Sequence, residues 1–374
     1  MVGLQQLVSA KVVEKGLAEK GPCERTIASR IADLPEAQKL LARKGPARVS
    51  KMFGPFHEGP EYHRVGERVE IDTWNIPIMV LLEQAGVLAE VPSDVVTDLM
   101  IVARRIYVTV VADKATGYIL GMAFGLSESS DLATSAFRMA LSDKSGYVAW
   151  ANCSADWSGC TGIEEGVSDA GPAHTGNRYQ SAIYSACGSV QYAASGLPHL
   201  RGLIESLFST LHKGFITKFF ARAFENVVAK GDYDPQERAV LRAEAFLRLM
   251  VLYVVDVYHN LPRDGGLRQS PRQEYLKLAH GSKKPPNPDE LRAWFGVTHD
   301  AELGAHGVRF MHVEYDNDWL LQHRLYRGLE EVEFVVDEED LGAISVLLDG
   351  DYITVHAKDR EFRGVPLREW VGLL

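Results

Sequence analysis

Cysteine is scarce: four in 374 residues, Cys23, Cys153, Cys160 and Cys187, with no C-x-x-C pair and no histidine at zinc-ligand spacing. That excludes a disulfide scaffold and a zinc module, and four buried free thiols are expected. Long hydrophobic runs are lacking too. The best, residues 249–255, is bounded by Arg248 and Asp256, far short of the roughly 20 apolar residues that span a bilayer, so it reads as a buried helix. The amino terminus, MVGLQQLVSAKVVEK, has no basic start, long apolar stretch or small-residue cleavage site, so no secretory signal is read and a cytoplasmic protein without a membrane partner is expected. No short repeat is present, which removes the fibrous and solenoid classes. With 46% hydrophobic and 24% charged residues, the chain has material for two or three buried cores.

The net charge is −10, and its distribution says more than its total. Residues 1–66 carry 11 Lys and Arg against 7 Asp and Glu, a balance of +4, while residues 301–374 carry 7 against 16, a balance of −9. A basic front and an acidic tail permit DNA contact by the front and middle and give the tail another task. In the front, residues 24–34 place Ile27, Ile31 and Leu34 at helical spacing, with Arg25 and Arg30 on polar faces. A recognition helix and a plain amphipathic helix both fit. A Gly-, Pro- and His-rich stretch over 54–66 reads as a linker.

From residue 68 the pattern becomes β-rich. Strands are expected over 69–74, 106–112 and 118–124, the last two joined by Asp113-Lys-Ala-Thr-Gly117, a hairpin turn. A helix over 130–141, a strand over 166–168, a helix over 177–186, a strand over 189–192 and a helix over 199–213 follow. One long apolar helix is expected over 235–260, with Leu247, Met250, Val254 and Tyr258 on one stripe, and Lys283-Lys-Pro-Pro-Asn-Pro288 marks a boundary. Beyond it, runs over 308–313, 331–336, 344–348 and 352–356 predict a small β-barrel.

Three acids stand out: Asp72 in the first strand, Asp169 at the end of the fourth, and Glu205 in a helix, with 35 residues between the last two. Glu70 shares the strand face of Asp72; Asp113 reads as a turn former, and Glu164 and Glu165 as loop residues. In the helix of Glu205, Leu200, Leu203, Ile204, Leu207 and Leu211 form the apolar side, while Arg201, Glu205, Ser209 and His212 line another. Arg201 is open to a DNA phosphate or to an i,i+4 pair with Glu205. Lys213, Lys218 and Arg222 continue a basic trend suited to a duplex backbone or to a solvated face.

The pieces Val167-Ser-Asp-Ala-Gly-Pro172 and Leu197-Pro-His-Leu-Arg-Gly-Leu-Ile-Glu-Ser206, with the hairpin and the later Tyr258-His-Asn-Leu-Pro262 and Ser270-Pro271, come in one order. This order and spacing resembles the DD(35)E triad of the retroviral-integrase superfamily, the RNase H-like polynucleotidyl transferases. With the β domain behind it, the chain most resembles bacterial transposases of the phage Mu type. The resemblance implies an α/β fold: a helical, DNA-binding segment over 1–66, an RNase H-like core over 67–285 with a mixed five-stranded sheet, and a Mu-type β-barrel over 300–374. It also implies a DNA transposase or integrase that cleaves 3′ ends and transfers strands, using two Mg²⁺ ions for which Mn²⁺ substitutes. Asp72 would bridge the ions, with Asp169 and Glu205 holding one each; converging carboxylates repel unless a cation lies between them. The implied partners are DNA (transposon ends and target), further copies of the chain on paired ends, and a partner ATPase on the acidic tail. The implied setting is bacterial, nucleoid-associated when active. Three features depart from the family: a long stretch over 77–105 with a helical pattern over 93–103, a short front, and an acidic rather than basic tail. A catalytically inactive DNA-binding or regulatory remnant, and an RNase H-like nuclease, are the alternative readings.

Overall fold

In the computed structural model, residues 2–46, 49, 60–82, 102–157, 159–193, 201–219, 243–263 and 268–372 are described. Residues 93–101 of the helix expected over 93–103, most of the 77–105 stretch, Arg222 and the first part of the 235–260 helix lie outside them; residues 102–103 are strand, not helix. Two compact units form, Met1–Glu61 and Tyr62–Leu374.

The first unit holds helices α1 (Val2–Glu14), α2 (Glu24–Ala32) and α3 (Glu36–Lys44). In α2, Ile27 is buried while Arg25 and Arg30 are exposed, the amphipathic pattern read from the sequence.

The second unit is built on a five-stranded sheet of order β3-β2-β1-β4-β5. Strands β1 (Val69–Leu82), β2 (Val102–Asp113) and β3 (Ile119–Gly125) form an antiparallel meander; β4 (Glu165–Asp169) and β5 (Ser189–Ala193) are added in parallel. Parallel addition needs a crossover. Helices α4 (Ser130–Leu141) and α5 (Ser145–Ala151) precede β4, and α6 (Asn177–Ala186) connects β4 to β5. The β2–β3 turn closes on Asp113. Its buried carboxylate accepts the N–H groups of Gly66 and Thr116 and the Thr116 hydroxyl at 2.6 Å, while Gly117 takes the positive φ of 68°. Burial pushes the Asp113 carboxyl up to about 6 against these hydrogen bonds.

Helix α4 lies on one face of the sheet. Val69, Ile71, Val108, Val110 and Leu120 are buried in the same core as Ala136, Phe137 and Ala140. Helix α7 (Gly202–Gly214) covers part of the opposite face, burying Ile204, Leu207 and Leu211. Helix α8 (Ala243–Leu252) does not run on regularly: Tyr253–Val257 is a widened π turn and Tyr258–Asn260 a 3-10 turn. The expected stripe is kept, with Met250, Val254 and Tyr258 buried. Asp256, within the π turn, accepts the backbone N–H groups of Ser154 and Ala155 at 2.8 Å. The Tyr258-His motif then clamps the hairpin: Tyr258 donates to Gly117 O at 2.8 Å, and fully buried His259 accepts the Ile119 N–H at 3.1 Å. Burial drives the His259 imidazole far below its usual range, keeping it a neutral acceptor. Ser270-Pro271 is a capping box, with Gln273 as its partner, that starts helix α9 (Pro271–Leu278).

After helix α10 (Pro288–Phe295), a second hydrophobic core gathers under a four-stranded antiparallel sheet of order β11-β10-β9-β6 and a hairpin of two short strands. Strand β6 (Val297–Glu302) was not foreseen. The run over 308–313 is not one strand: β7 (Val308–Phe310) and β8 (Val313–Tyr315) fold back at Met311 and His312, both at positive φ. Helix α11 (Asp318–Arg327) and strands β9 (Glu331–Asp337), β10 (Asp340–Leu348) and β11 (Asp351–His356) follow. Helix α10 reaches both cores. Phe295 packs near Phe137, and buried Arg292 donates to Ser345 and Thr354 of the second sheet. Arg138 of α4 pairs with Asp337, and Arg178 of α6 with Glu338.

The thiols are all free, as expected, but Cys23 is exposed and Cys153 and Cys160 are half-buried; only Cys187 is fully inside.

Gly121 of β3 has no room for a side chain: a Cβ there would lie 2.4 Å from Ala136 O and 2.6 Å from Ala140 N of α4. Both obstacles are backbone. Gly121→Ala is therefore expected to lower stability by about 1–3 kcal/mol through overpacking, read as a drop in the urea midpoint at unchanged slope.

Candidate metal-binding active site

Side chains alternate across a strand, so Glu70, Asp72 and Trp74 of β1 share one face. All three reach helix α7. Glu70, fully buried, accepts the Ile204 N–H at 2.9 Å and pairs with Lys114 at 2.6 Å. Asp72 pairs with Arg201, the residue that opens the helix. Trp74 stacks on Phe208, ring centroids 5.5 Å apart. The helix is thus pinned along the strand at three successive points, and Glu70 fills the need of one of its first free N–H groups.

The register of the sheet supplies the second acid. Strands β1 and β4 run parallel with Glu70 opposite Val167. Two residues further along both strands, Asp72 comes beside Asp169. Arg201 lies between them: one guanidinium nitrogen pairs with Asp72 Oδ2, and the other stands 3.5 Å from Asp169 Oδ2. Of the partners weighed for Arg201, the i,i+4 pair with Glu205 gives way here to the two aspartates. Its Nε is buried without a hydrogen-bond partner among the described residues.

Asp169 is oriented from behind. His174, fully buried, donates from Nδ1 to Asp169 Oδ1 at 2.6 Å, and Gly171 N–H donates to the same oxygen at 3.0 Å. An ionised carboxylate only accepts, so the Nδ1–H tautomer is required. The His174 hydrogen bond, followed by the Gly171 N–H and the Arg201 charge, holds the Asp169 carboxyl at about 2 against partial burial. Asp72 goes the other way. Burial raises its carboxyl above the usual range, opposed by Arg201 and by the Thr73 N–H, which it accepts at 2.8 Å.

Glu205 stands in the first turn of α7, exposed, one turn beyond Arg201. Among the described residues no group of three or more His, Cys, Asp or Glu side chains is gathered closely enough to hold a metal. Asp72 and Asp169 are brought together; Glu205 is not brought onto them. Lys213 and Lys218 are exposed, Lys218 with its ammonium 6.0 Å from the Tyr253 ring centroid. Arg25 and Arg30 belong to the other unit. Sequence reasoning missed His174, five residues past Asp169, and gave Glu70 no role beyond a shared face. Glu165 is not a loop residue but the first of β4, paired with Arg68 at 2.8 Å.

The donor set suits a hard divalent cation. Two carboxylates already share one positive charge, and hard cations such as Mg²⁺ take carboxylate oxygens and retain water elsewhere. The two aspartates fit such an ion; Glu205 would complete the set only by closing on them.

Residues 92–219, about a third of the chain, match the family model described as the TnsB C-terminal domain. The matched stretch contains Asp169, His174, Arg201 and Glu205, begins after Asp72 and ends ahead of the second sheet. No curated protein matches. Among solved structures, the HTLV-2 integrase catalytic core domain in complex with magnesium is 12% identical, covering 57% of this chain and 97% of that one at a TM-score of 0.27. The BIV integrase catalytic core domain is also 12% identical, with the same coverages and a TM-score of 0.30. The simian T-cell lymphotropic virus intasome in complex with PP2A regulatory subunit B56 gamma is 14% identical over 86% of this chain and 97% of that one, at 0.32. Among the described residues no helix is long and apolar enough to cross a membrane.

His174→Ala is expected to raise the Asp169 carboxyl from about 2 towards the free value near 3.9, seen in a carboxyl NMR titration. A carboxyl depressed in the fold contributes stability that is full above its unfolded pKa and is lost as pH falls through the folded one. In the variant this contribution shrinks, so the variant is less stable than the parent above about pH 4 and the gap closes as pH falls towards 2; an unmoved Asp169 titration would contradict the assigned hydrogen bond.

Proposed function

We propose that the chain is a metal-dependent DNA transposase or integrase that hydrolyses a phosphodiester to free a 3′ hydroxyl and then uses that hydroxyl on target DNA. The observation that carries this reading is the convergence of Asp72 and Asp169, from adjacent parallel strands, on a single positive charge. The family match over 92–219 supports the same class.

Asp72 and Asp169 would hold a divalent cation, with Glu205 as the third carboxylate once it closes on them. When bound, such ions activate the attacking oxygen and stabilise the leaving one at phosphorus. The chain's own contribution is positioning. His174 and the Gly171 N–H keep Asp169 ionised and aimed, Glu70 anchors the helix that carries Glu205, and burial of Asp72 excludes water from one side. Both steps are in-line displacements in which the 3′ oxygen leaves as water, or later a 3′ hydroxyl, attacks, so no covalent enzyme intermediate is required. DNA is the substrate on this reading, and exposed Lys213 and Lys218 beyond Glu205 are candidate phosphate contacts, with Arg25 and Arg30 in the front unit. Assembly of several copies on paired ends, and a partner ATPase on the acidic tail, remain parts of the proposal.

One observation favours a second reading, an inactive DNA-binding or regulatory remnant: Arg201 holds the two aspartates, and Glu205 stands apart from them. Incubating pre-cut duplex ends and supercoiled plasmid with the protein in Mn²⁺ separates the two. Joined strands that disappear in Asp72→Asn, Asp169→Asn and Glu205→Gln, with DNA binding kept, are the expected result. Joining that survives in any one of these variants refutes the assignment of that acid, and DNA binding without cleavage or joining by the parent chain favours the remnant.

A further inference from the structure

We propose that Arg201 is the chain's own stand-in for the divalent cation: its guanidinium holds Asp72 and Asp169 together in the metal-free protein and has to leave before an ion can bind there. This rests on the metal-site reading above. It adds a residue that competes with the ion.

The geometry supplies each step. The two carboxylates meet on one guanidinium, through Oδ2 of Asp72 and Oδ2 of Asp169. Those are oxygens that a cation between the aspartates would need, so guanidinium and ion exclude one another. Without any cation, Asp72 and Asp169 would repel across the gap between adjacent strands. Arg201 also spends none of its charge on Glu205, although the i,i+4 spacing invites that pair.

The guanidinium is placed to move. Arg201 is the N-cap residue of α7, with φ −126° and ψ 20°, and its side chain makes no capping hydrogen bond to the helix that a move would break. Its Nε is buried and unpartnered among the described residues. A ligand that binds only the open state has its apparent affinity lowered by the open fraction. Arg201 therefore sets how much divalent cation the site requires.

The opposite sign of effect distinguishes competition from a merely structural role. Removing a structural support weakens ion binding, whereas removing a competitor strengthens it. Calorimetric titration of the full chain with Mn²⁺ at neutral pH is the test. Arg201→Gln is expected to bind Mn²⁺ about tenfold tighter than the parent, and Mn²⁺ is expected to raise its Tm by more. Arg201→Lys provides a second variant in case the first folds poorly: a point charge bridges two carboxylates less well than a planar fork, so its Mn²⁺ affinity should lie between the two. If Asp169→Asn abolishes Mn²⁺ binding but neither arginine variant gains affinity, the competition is overturned and the metal-site reading stands. If Mn²⁺ binding is absent from parent and arginine variants, or is indifferent to Asp169→Asn, the metal-site reading falls and this inference falls with it.

Discussion

Two carboxylates placed side by side on adjacent parallel strands form the constraint on which the rest of the second unit turns. Asp72 is largely buried and Asp169 is held strongly ionised, so their repulsion has to be met by a positive charge. The chain meets it with Arg201 and surrounds the pair with groups whose positions make sense only around it. His174 is inside the core with its ring nitrogen on Asp169, and Glu70 is inside with its oxygens on Lys114 and the Ile204 N–H. A buried glutamate is costly to keep unpaired; Glu70 is paired at both oxygens, while His174 is engaged through Nδ1 and its Nε2 has no partner among the described residues. Here both hold the elements that carry the aspartates and Glu205.

The support extends outwards through backbone contacts. The β2–β3 hairpin, which frames β1 from its antiparallel side, is closed by Asp113 and clamped from the far end of the unit by Tyr258 and His259. The second sheet is tied to the same scaffold by ion pairs from α4 and α6, the latter being the crossover between β4 and β5. A change in the acidic tail therefore has a short physical route to the strand that ends in Asp169.

Much of this was legible in the sequence because the relevant signals are local. Helices over 130–141 and 177–186 matched their observed bounds, since each has a clean apolar period and a turn residue ahead of it, and the hairpin was read from Asp113 and Gly117. Spacing singled out Asp169 and Glu205, and a strand setting Asp72; of these the structure brings Asp72 and Asp169 together. What stayed hidden depends on register and on distant partners. Nothing near Arg201 in the chain says that it will face Asp72, which lies in β1, or that Glu205 will stay outside the pair. His174 was passed over because its bond to Asp169 is made only once the chain turns after β4. The π turn at Tyr253–Val257 and the fold-back at Met311 and His312 interrupt runs that are continuous in hydrophobicity, and periodicity is blind to such breaks.

The central claim is that Asp72 and Asp169 form a divalent-cation site. Its most direct measurement is a crystal structure from crystals grown in Mn²⁺, with anomalous scattering used to locate the metal. The predicted result is an anomalous peak between Asp72 and Asp169 with the Arg201 guanidinium displaced from it. A map with no such peak and Arg201 still bridging the two aspartates, at saturating Mn²⁺, would contradict the claim.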